Sequence, residues 1–356
     1  MKIAVLPCDA IGPEITEATV SVLSAANEKF GLGLQFDEQT VGQAALTAHG
    51  TTVPQSAIDA VAAADGFILG PHDNMSYPPP EEGGLNVSSY FRKSLDLFAN
   101  IRPAKSLPGI SKSIGPMDLV IVRENTEGFY SDRNMFFGHA EFMPTEDLAL
   151  SVRKISAEAS RRIAKVAFDL ARTRPRKKVT VVHKVNVMTV TDGLFLREVR
   201  RVAESYPDVE VEEVLVDAMA ALLVREPGRF DVVVTTNLFG DVLSDEASEL
   251  SGSLGIAPSI NASHENAMAQ AQHGSAPDIA GQDKANPTSL ILSSAMLLEW
   301  LGNRDNSNVL CEAAAAIGRA VEVTVADPAS RTADLGGSLG TQAFAATVAE
   351  RLLADR

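Results

Sequence analysis

The sequence predicts an α/β fold built around a mainly parallel sheet. Three observations carry that prediction. Short β-rich runs recur at residues 2–7, 66–70, 118–124, 178–184, 209–217 and 231–237. Longer stretches with helical spacing separate most of them, and the chain beyond Ser289 is largely Ala- and Leu-rich helix. Strand and helix in alternation need crossover connections, which lay successive strands parallel.

The elements have separate signatures. Residues 2–7 are an apolar run stopped by Pro7. A helix is expected over 13–30 because Pro13 suits a first turn, where its missing N–H has no helical partner to lose. Leu148, Val152, Ile155, Ala159, Ile163, Val166 and Leu170 fall at three- and four-residue steps, so one helix is predicted over 145–172. Residues 209–216 alternate apolar and acidic side chains, which suits a strand with one solvated face, at an edge or in a differently packed sheet. Pro- and Gly-rich loops are expected at 77–84 and 103–116, the second a hinge candidate.

A length of 356 residues suggests two domains or one large one. Two cysteines, Cys8 and Cys311, exclude a disulfide framework or a CxxC zinc site and favour a reducing, cytoplasmic setting. The start lacks the pattern of an export signal, and no apolar run reaches the ~18 residues of a membrane span. With 31 Lys+Arg against 46 Asp+Glu the net charge is −15, so neither nucleic acid nor an anionic membrane is an expected partner. GxGxxG, GxxxxGK[ST] and HExxH are all absent. Residues 336–340 fit GxSxG, but 331–335 are no strand and all six His precede Ser338, so the hydrolase reading fails.

Several groups point to chemistry. Residues 231–246 read as an apolar strand, a turn and a helix that places Asp241 and Asp245 four apart on one face. Hard oxygen ligands at a strand's carboxyl end suit Mg²⁺ or Mn²⁺, although acids at a helix start also answer the macrodipole. Asp217 is a candidate third carboxylate, closing the preceding strand. Arg92, Arg102 and Arg123 suit capture of a substrate's carboxylates. Lys184, at a strand end, and Tyr130 are candidate proton carriers. Residues 273–281 form a small-residue loop in which Asp278 could accept a ribose diol and repel a 2′-phosphate, favouring NAD over NADP.

Together these residues resemble the β-decarboxylating dehydrogenases of isocitrate, 3-isopropylmalate, homoisocitrate, tartrate and D-malate. The resemblance runs from Leu6-Pro7-Cys8-Asp9-Ala10-Ile11-Gly12-Pro13-Glu14 to Arg331-Thr332-Ala333-Asp334-Leu335-Gly336-Gly337. It implies an isopropylmalate dehydrogenase-like fold of two α/β domains with a cleft between them and a mixed sheet. The larger, cofactor-binding domain would comprise 1–98 plus 253–356, and the smaller, 99–252, would carry the metal site and a homodimer interface. The implied reaction is NAD- and Mg²⁺- or Mn²⁺-dependent oxidative decarboxylation of a 3-substituted D-malate.

By position, Arg92, Arg102 and Arg123 resemble the substrate clamps, with Asn86 and Ser88 near the C3 substituent. Asp241 and Asp245, with the partner's Asp217, resemble the metal ligands. Tyr130 and the partner's Lys184 resemble the acid–base pair. His273, Gly274, Ser275, Ala276, Asp278 and Asn286 resemble the adenosine-binding loop. Four stretches bear on substrate and cofactor. Cys8-Asp9-Ala10 stands where the family usually has Gly-Asp-Gly, and Ala269-Gln270-Ala271-Gln272 where it has Phe-Glu-Pro/Ala-Val, which removes a carboxylate near the cofactor. The motif from Arg123 to Tyr130 is similar to isocitrate, homoisocitrate, tartrate and D-malate members. Residues 86–91 lack the Leu pair of isopropylmalate enzymes, and Asn86, Ser88 and Ser89 suggest a polar or small substituent. Two alternatives remain: a non-catalytic regulatory subunit of a hetero-oligomeric NAD-isocitrate dehydrogenase, and a dehydrogenase of a phosphorylated hydroxy-acid on the same fold.

Overall fold

The computed structural model describes residues 1–107, 109–110, 115–130 and 140–355. Its strands are β1 (Lys2–Leu6), β2 (Gln35–Glu38), β3 (Gly66–Leu69), β4 (Ala99–Lys105), β5 (Asp118–Glu124), β6 (Glu141–Thr145), β7 (Leu148–Ser151), β8 (Lys178–His183), β9 (Glu210–Leu215), β10 (Val232–Thr235), β11 (Ile260–Ala262) and β12 (Ala267–Gln270). Its helices are α1 (Gly12–Phe30), α2 (Gln43–His49), α3 (Gln55–Ala62), α4 (Val87–Ser94), α5 (Ala157–Thr173), α6 (Thr191–Ala203), α7 (Val216–Arg225), α8 (Asn237–Ser251), α9 (Thr288–Asp305), α10 (Asn308–Ala326) and α11 (Thr341–Ala354).

Ten strands form one sheet in the order β2-β1-β3-β12-β11-β4-β5-β10-β8-β9. Both flanks are parallel, as the alternation of strand and helix predicts, while β11 and β4 run antiparallel to their neighbours at the centre. Because side chains alternate across a strand, each half of the sheet feeds two cores. Ile3 and Val5 pack with Val22, Leu298, Ile317 and Phe344 of α1, α9, α10 and α11, while Ala4 and Leu6 face Val53, Phe67 and Phe91. In the other half Val120 and Val122 meet Ile163, Phe168 and Phe195, and Leu119 and Ile121 meet Met219, Leu223 and Leu243. Fully burying one such side chain is worth about 2 kcal/mol, so these four clusters supply most of the drive to fold. No helix among the described residues is long and apolar enough to cross a membrane.

Three expectations need correction. The helix over 145–172 begins only at Ala157, where the Ser156 side chain accepts the Ala159 N–H at 3.2 Å. Thr145 instead ends β6, and Leu148 and Leu150 lie in β7, half-exposed. Their spacing of two, continued by Val152, is the strand period, and it wins over the coincidental helical one. The loop expected at 103–116 starts late, because β4 continues through Pro103 to Lys105. Proline is tolerated there because β11 pairs with β4 only over residues 99–101, leaving no ladder for Pro103 to break on that side. Residues 108 and 111–114 of that stretch lie outside the described residues. Finally, Asp217 does not close a strand: β9 ends at Leu215, and Asp217 sits in the first turn of α7. The edge position read for 209–216 is borne out, since β9 ends the sheet, but the expected apolar and solvated faces do not separate: Val211 is exposed while Glu212 is half-buried.

Candidate active site

The site is assembled at the carboxyl end of β5 and β10 and on the helix that follows β10. Arg123 is the penultimate residue of β5 and its side chain is 2% exposed. It lies flat against α8 because residue 240 is glycine: a Cβ there would sit 2.6 Å from the Arg123 Cγ. Its Nε and Nη2 donate to Asn237 Oδ1 at 3.0 and 2.6 Å, and Nη1 donates to Asp241 Oδ1. From β4, Arg102 Nη1 donates to Ser244 Oγ at 2.7 Å, Asp245 Oδ1 at 3.2 Å and Asp241 Oδ1 at 3.4 Å. Tyr130 Oη donates to the other Asp241 oxygen at 3.0 Å, and its ring lies under the Arg123 guanidinium.

Asp241 is therefore a hub. Burial pushes its carboxyl up, but Arg123, Arg102 and the Tyr130 hydroxyl outweigh burial and hold it below the usual carboxylate range. Burial and the neighbouring Arg123 pull Arg102 down to about 10 against the opposing effect of the two aspartates. Gln272 Nε2 donates to Asp245 Oδ1 at 2.9 Å, and its own Oε1 is buried without a partner.

A second corner lies on α4. Ser88 and Arg92, one turn apart, both donate to Gln270 Oε1 at the end of β12, at 3.1 and 2.9 Å. Arg92 also reaches Asn125 Oδ1 at 3.4 Å. Asn86 caps α4, accepting from the Ser89 N–H at 2.9 Å, and meets His72 Nε2 at 3.2 Å. Burial and the Arg92 charge lower the His72 pKa. Beneath this corner Asn100, Asn125 and Asn261 are fully buried and hydrogen-bonded to one another.

The remaining predicted residues lie apart from Asp241. Lys184 follows β8 directly, and its Nζ donates to Asp217 Oδ1 at 2.5 Å in a pair whose Asp217 side chain is 66% exposed. Among the described residues no three His, Cys, Asp or Glu side chains converge, so one chain brings Asp241 and Asp245 together but not Asp217. In the loop after β12, Ala276 adopts the left-handed φ of +40°, and the Ser275 carbonyl accepts the Ile11 N–H at 3.1 Å. His273 Nδ1 meets the exposed Gly274 carbonyl at 3.0 Å, Asp278 is exposed, and Asn286 Nδ2 donates to Asp334 Oδ2 at 3.0 Å. Cys8 and Ala10 also take left-handed φ, +64° and +51°, the conformation glycine adopts freely. Asp9 between them accepts the N–H groups of Gln43 and Asp73 and the Tyr77 hydroxyl, which ties the turn down.

The model of one protein family, isocitrate/isopropylmalate dehydrogenase, matches residues 2–350. The chain belongs to the isocitrate/isopropylmalate dehydrogenase family. It is 42% identical to the 3-isopropylmalate dehydrogenase of Methanothermobacter thermautotrophicus, over 99% of this chain and 98% of that protein. It is equally similar, 42% over 99% and 98%, to the isocitrate/homoisocitrate dehydrogenase of Thermus thermophilus. The solved isocitrate dehydrogenase of Methylococcus capsulatus superposes with a TM-score of 0.86 at 40% identity, covering 99% of both chains. As a dehydrogenase of this family the chain has relatives named for different acids at the same identity, so overall similarity does not choose its substrate.

Several contributors went unread in the sequence. Asn237 and Ser244 lie inside the stretch that contains Asp241, but a neutral side chain among carboxylates gives no charge signal. Arg153 and Asp192 lie 39 residues apart in no recognisable spacing: Arg153 Nη1 donates to Asp192, which also accepts the Lys184 backbone N–H at 2.5 Å.

Proposed function

We propose that the chain is an NAD-dependent, Mg²⁺- or Mn²⁺-dependent oxidative decarboxylase of a 3-substituted D-malate, working as a homodimer with shared active sites. The observation that carries this reading is the convergence of Arg102, Arg123 and Tyr130 on Asp241, beside Asp245. Two half-open carboxylates on one helix face, held together by guanidinium groups, are a hard-oxygen donor set that suits a divalent cation. Asp241 and Asp245, with the partner's Asp217, would hold it. When bound, the cation would polarise the C2 oxygen and stabilise the enolate left by decarboxylation.

The chain's own residues do the rest. Arg102 and Arg123 would transfer hydrogen bonds from the aspartates to the substrate's carboxylates as the cation takes up the aspartate charge. The partner's Lys184 would accept the C2 hydroxyl proton as hydride leaves C2 for NAD. The 2-oxo acid then loses its β-carboxylate as CO₂, and the Tyr130 hydroxyl would return a proton to C3. The exposed Asp278, in the loop shaped by Ala276, would accept the ribose diol and disfavour a 2′-phosphate.

Homodimerisation is supported by the β6–β7 hairpin, which exposes Phe142, Met143, Leu148 and Leu150, and by the half-exposed Lys184–Asp217 pair. The division into 1–98 plus 253–356 and 99–252 belongs to the same proposal. It is supported by four clusters whose fully buried members cross that boundary only at Phe98 and Leu107, with the partly buried Ile101 and Ile110 packed across it. Retention of Tyr130, Lys184 and all three aspartates favours catalysis over a regulatory subunit.

Subunit mixing tests the shared site. Lys184→Ala and Asp241→Asn homodimers should each be inactive. After co-unfolding and refolding, random pairing puts one intact site in half of the dimers, recovering about a quarter of wild-type activity. No recovery, with heterodimers present, would contradict the shared site.

A further inference from the structure

The Gln270 corner is built differently from the rest of the site. Gln270 is 6% exposed at the end of β12, beside α4. Its Oε1 accepts from three donors: Arg92 Nη2 at 2.9 Å, Ser88 Oγ at 3.1 Å and Asn261 Nδ2 at 3.5 Å. The Arg92 and Asn261 donors fix the orientation of the amide, because a flipped amide would set its N–H against theirs. Nε2, the other end, therefore keeps two N–H donors, and no described residue accepts from them. It is not sealed in either, since it is absent from the buried polar atoms without partners.

Resting on the dehydrogenase reading above, we infer that Gln270 is a specificity-determining residue whose amide N–H donates to a hydrogen-bond acceptor on the substrate's C3 substituent, a hydroxyl or carboxylate. The wall of α4 around it agrees. Val87 and Phe91, its apolar residues, turn into the core, leaving Ser88 and Arg92 toward Gln270. A branched alkyl group at this corner would cover the Nε2 donors and give them no acceptor, which costs more than a lost contact. Glutamate, the residue usual in the family here, could accept from Ser88 and Arg92 but could donate nothing and would add negative charge. The Gln270 amide keeps the acceptor and adds the donor.

The test compares kcat/KM for isocitrate, homoisocitrate, tartrate, 3-isopropylmalate and D-malate with NAD and Mn²⁺, in the wild-type protein and in Gln270→Glu and Gln270→Leu. In the wild type an acid with a polar substituent should exceed 3-isopropylmalate by at least about tenfold, the worth of one unsatisfied donor. Tartrate against isocitrate then separates hydroxyl from carboxylate. In Gln270→Glu, which preserves the acceptor and the packing, the ratio of the polar acid to unsubstituted D-malate should fall about tenfold. In Gln270→Leu the ratio of 3-isopropylmalate to the polar acid should rise. A wild-type preference for 3-isopropylmalate, or equal losses on D-malate and the polar acid in Gln270→Glu, would overturn the inference and leave the dehydrogenase reading intact. Turnover of no acid at all would overturn both.

Discussion

Asp192→Asn is the most informative single perturbation of the scaffold behind the site. Asp192 is completely buried, and its carboxylate takes the Arg153 guanidinium on one oxygen and the Lys184 backbone N–H on the other at 2.5 Å. Arg153, 7% exposed, then donates to Thr236 Oγ1 at 3.0 Å and lies over the rings of Phe129 and Phe239. One buried ion pair thus joins the turn carrying Lys184 to the start of the helix carrying Asp241. Removing the charge from one partner of such a pair costs about 3–5 kcal/mol when nothing compensates. Here Arg153 keeps its bonds to Thr191 and Thr236 and its two rings, and the amide keeps one acceptor, which lowers the expected cost to about 2–3 kcal/mol. Unfolding entropy of about 2.1 cal/mol/K per residue converts that to a fall in Tm of about 3–4 °C for a chain of 356 residues. Urea unfolding of the wild type and variant measures the loss, and steady-state kinetics should show kcat falling more than KM rises. A loss below about 0.5 kcal/mol would refute the assignment of a charged, structurally required pair, since that is the scale of an ordinary surface substitution.

Two further outcomes follow from the same geometry. Mn²⁺ or Mg²⁺ at a hundredfold excess over Kd should stabilise the protein by about 2.7 kcal/mol, a Tm rise of about 3–4 °C, and Asp241→Asn should abolish the rise; an equal rise in the variant would place the cation elsewhere. Acidification should destabilise the protein through His183. Burial lowers its pKa, and its Nδ1 accepts the Val185 N–H at 3.3 Å, leaving no room for a second ring proton. A histidine held neutral in the fold takes up its proton only on unfolding, so stability present above about pH 6.5 is lost as pH falls below it, by at most about 1.4 kcal/mol per pH unit. Denaturation midpoints between pH 7.5 and 5.5 should fall less steeply in His183→Gln; identical slopes would sink the assignment.

Much of the frame was legible in the residues. The strand carrying Arg123 and the one that Lys184 follows announce themselves as apolar runs ending in charge, and the helix start after β10 places Asp241 and Asp245 by spacing alone. What escaped reading has physical causes. The central strands β11 and β12 are only three and four residues long, mix Asn and Gln with apolar residues and are buried throughout, so they show neither a solvated alternation nor a continuous apolar run. The β6–β7 hairpin exposes apolar side chains, a pattern that imitates one helical face. Cys8 and Ala10 adopt backbone angles that their identities disguise, because Asp9 and its partners hold the turn that glycine would form unaided. At the site, Asn237, Ser244, Gln270 and Gln272 act through geometry without charge, and Asp192 meets Arg153 only after the chain has folded.

The central claim is that one reaction both oxidises and decarboxylates. With purified protein, NAD, Mn²⁺ and the preferred acid of the panel, NADH and CO₂ measured in the same reaction should appear in equal amounts, and a chelator should stop both. NADH without CO₂, or NADH formation untouched by the chelator, would contradict it.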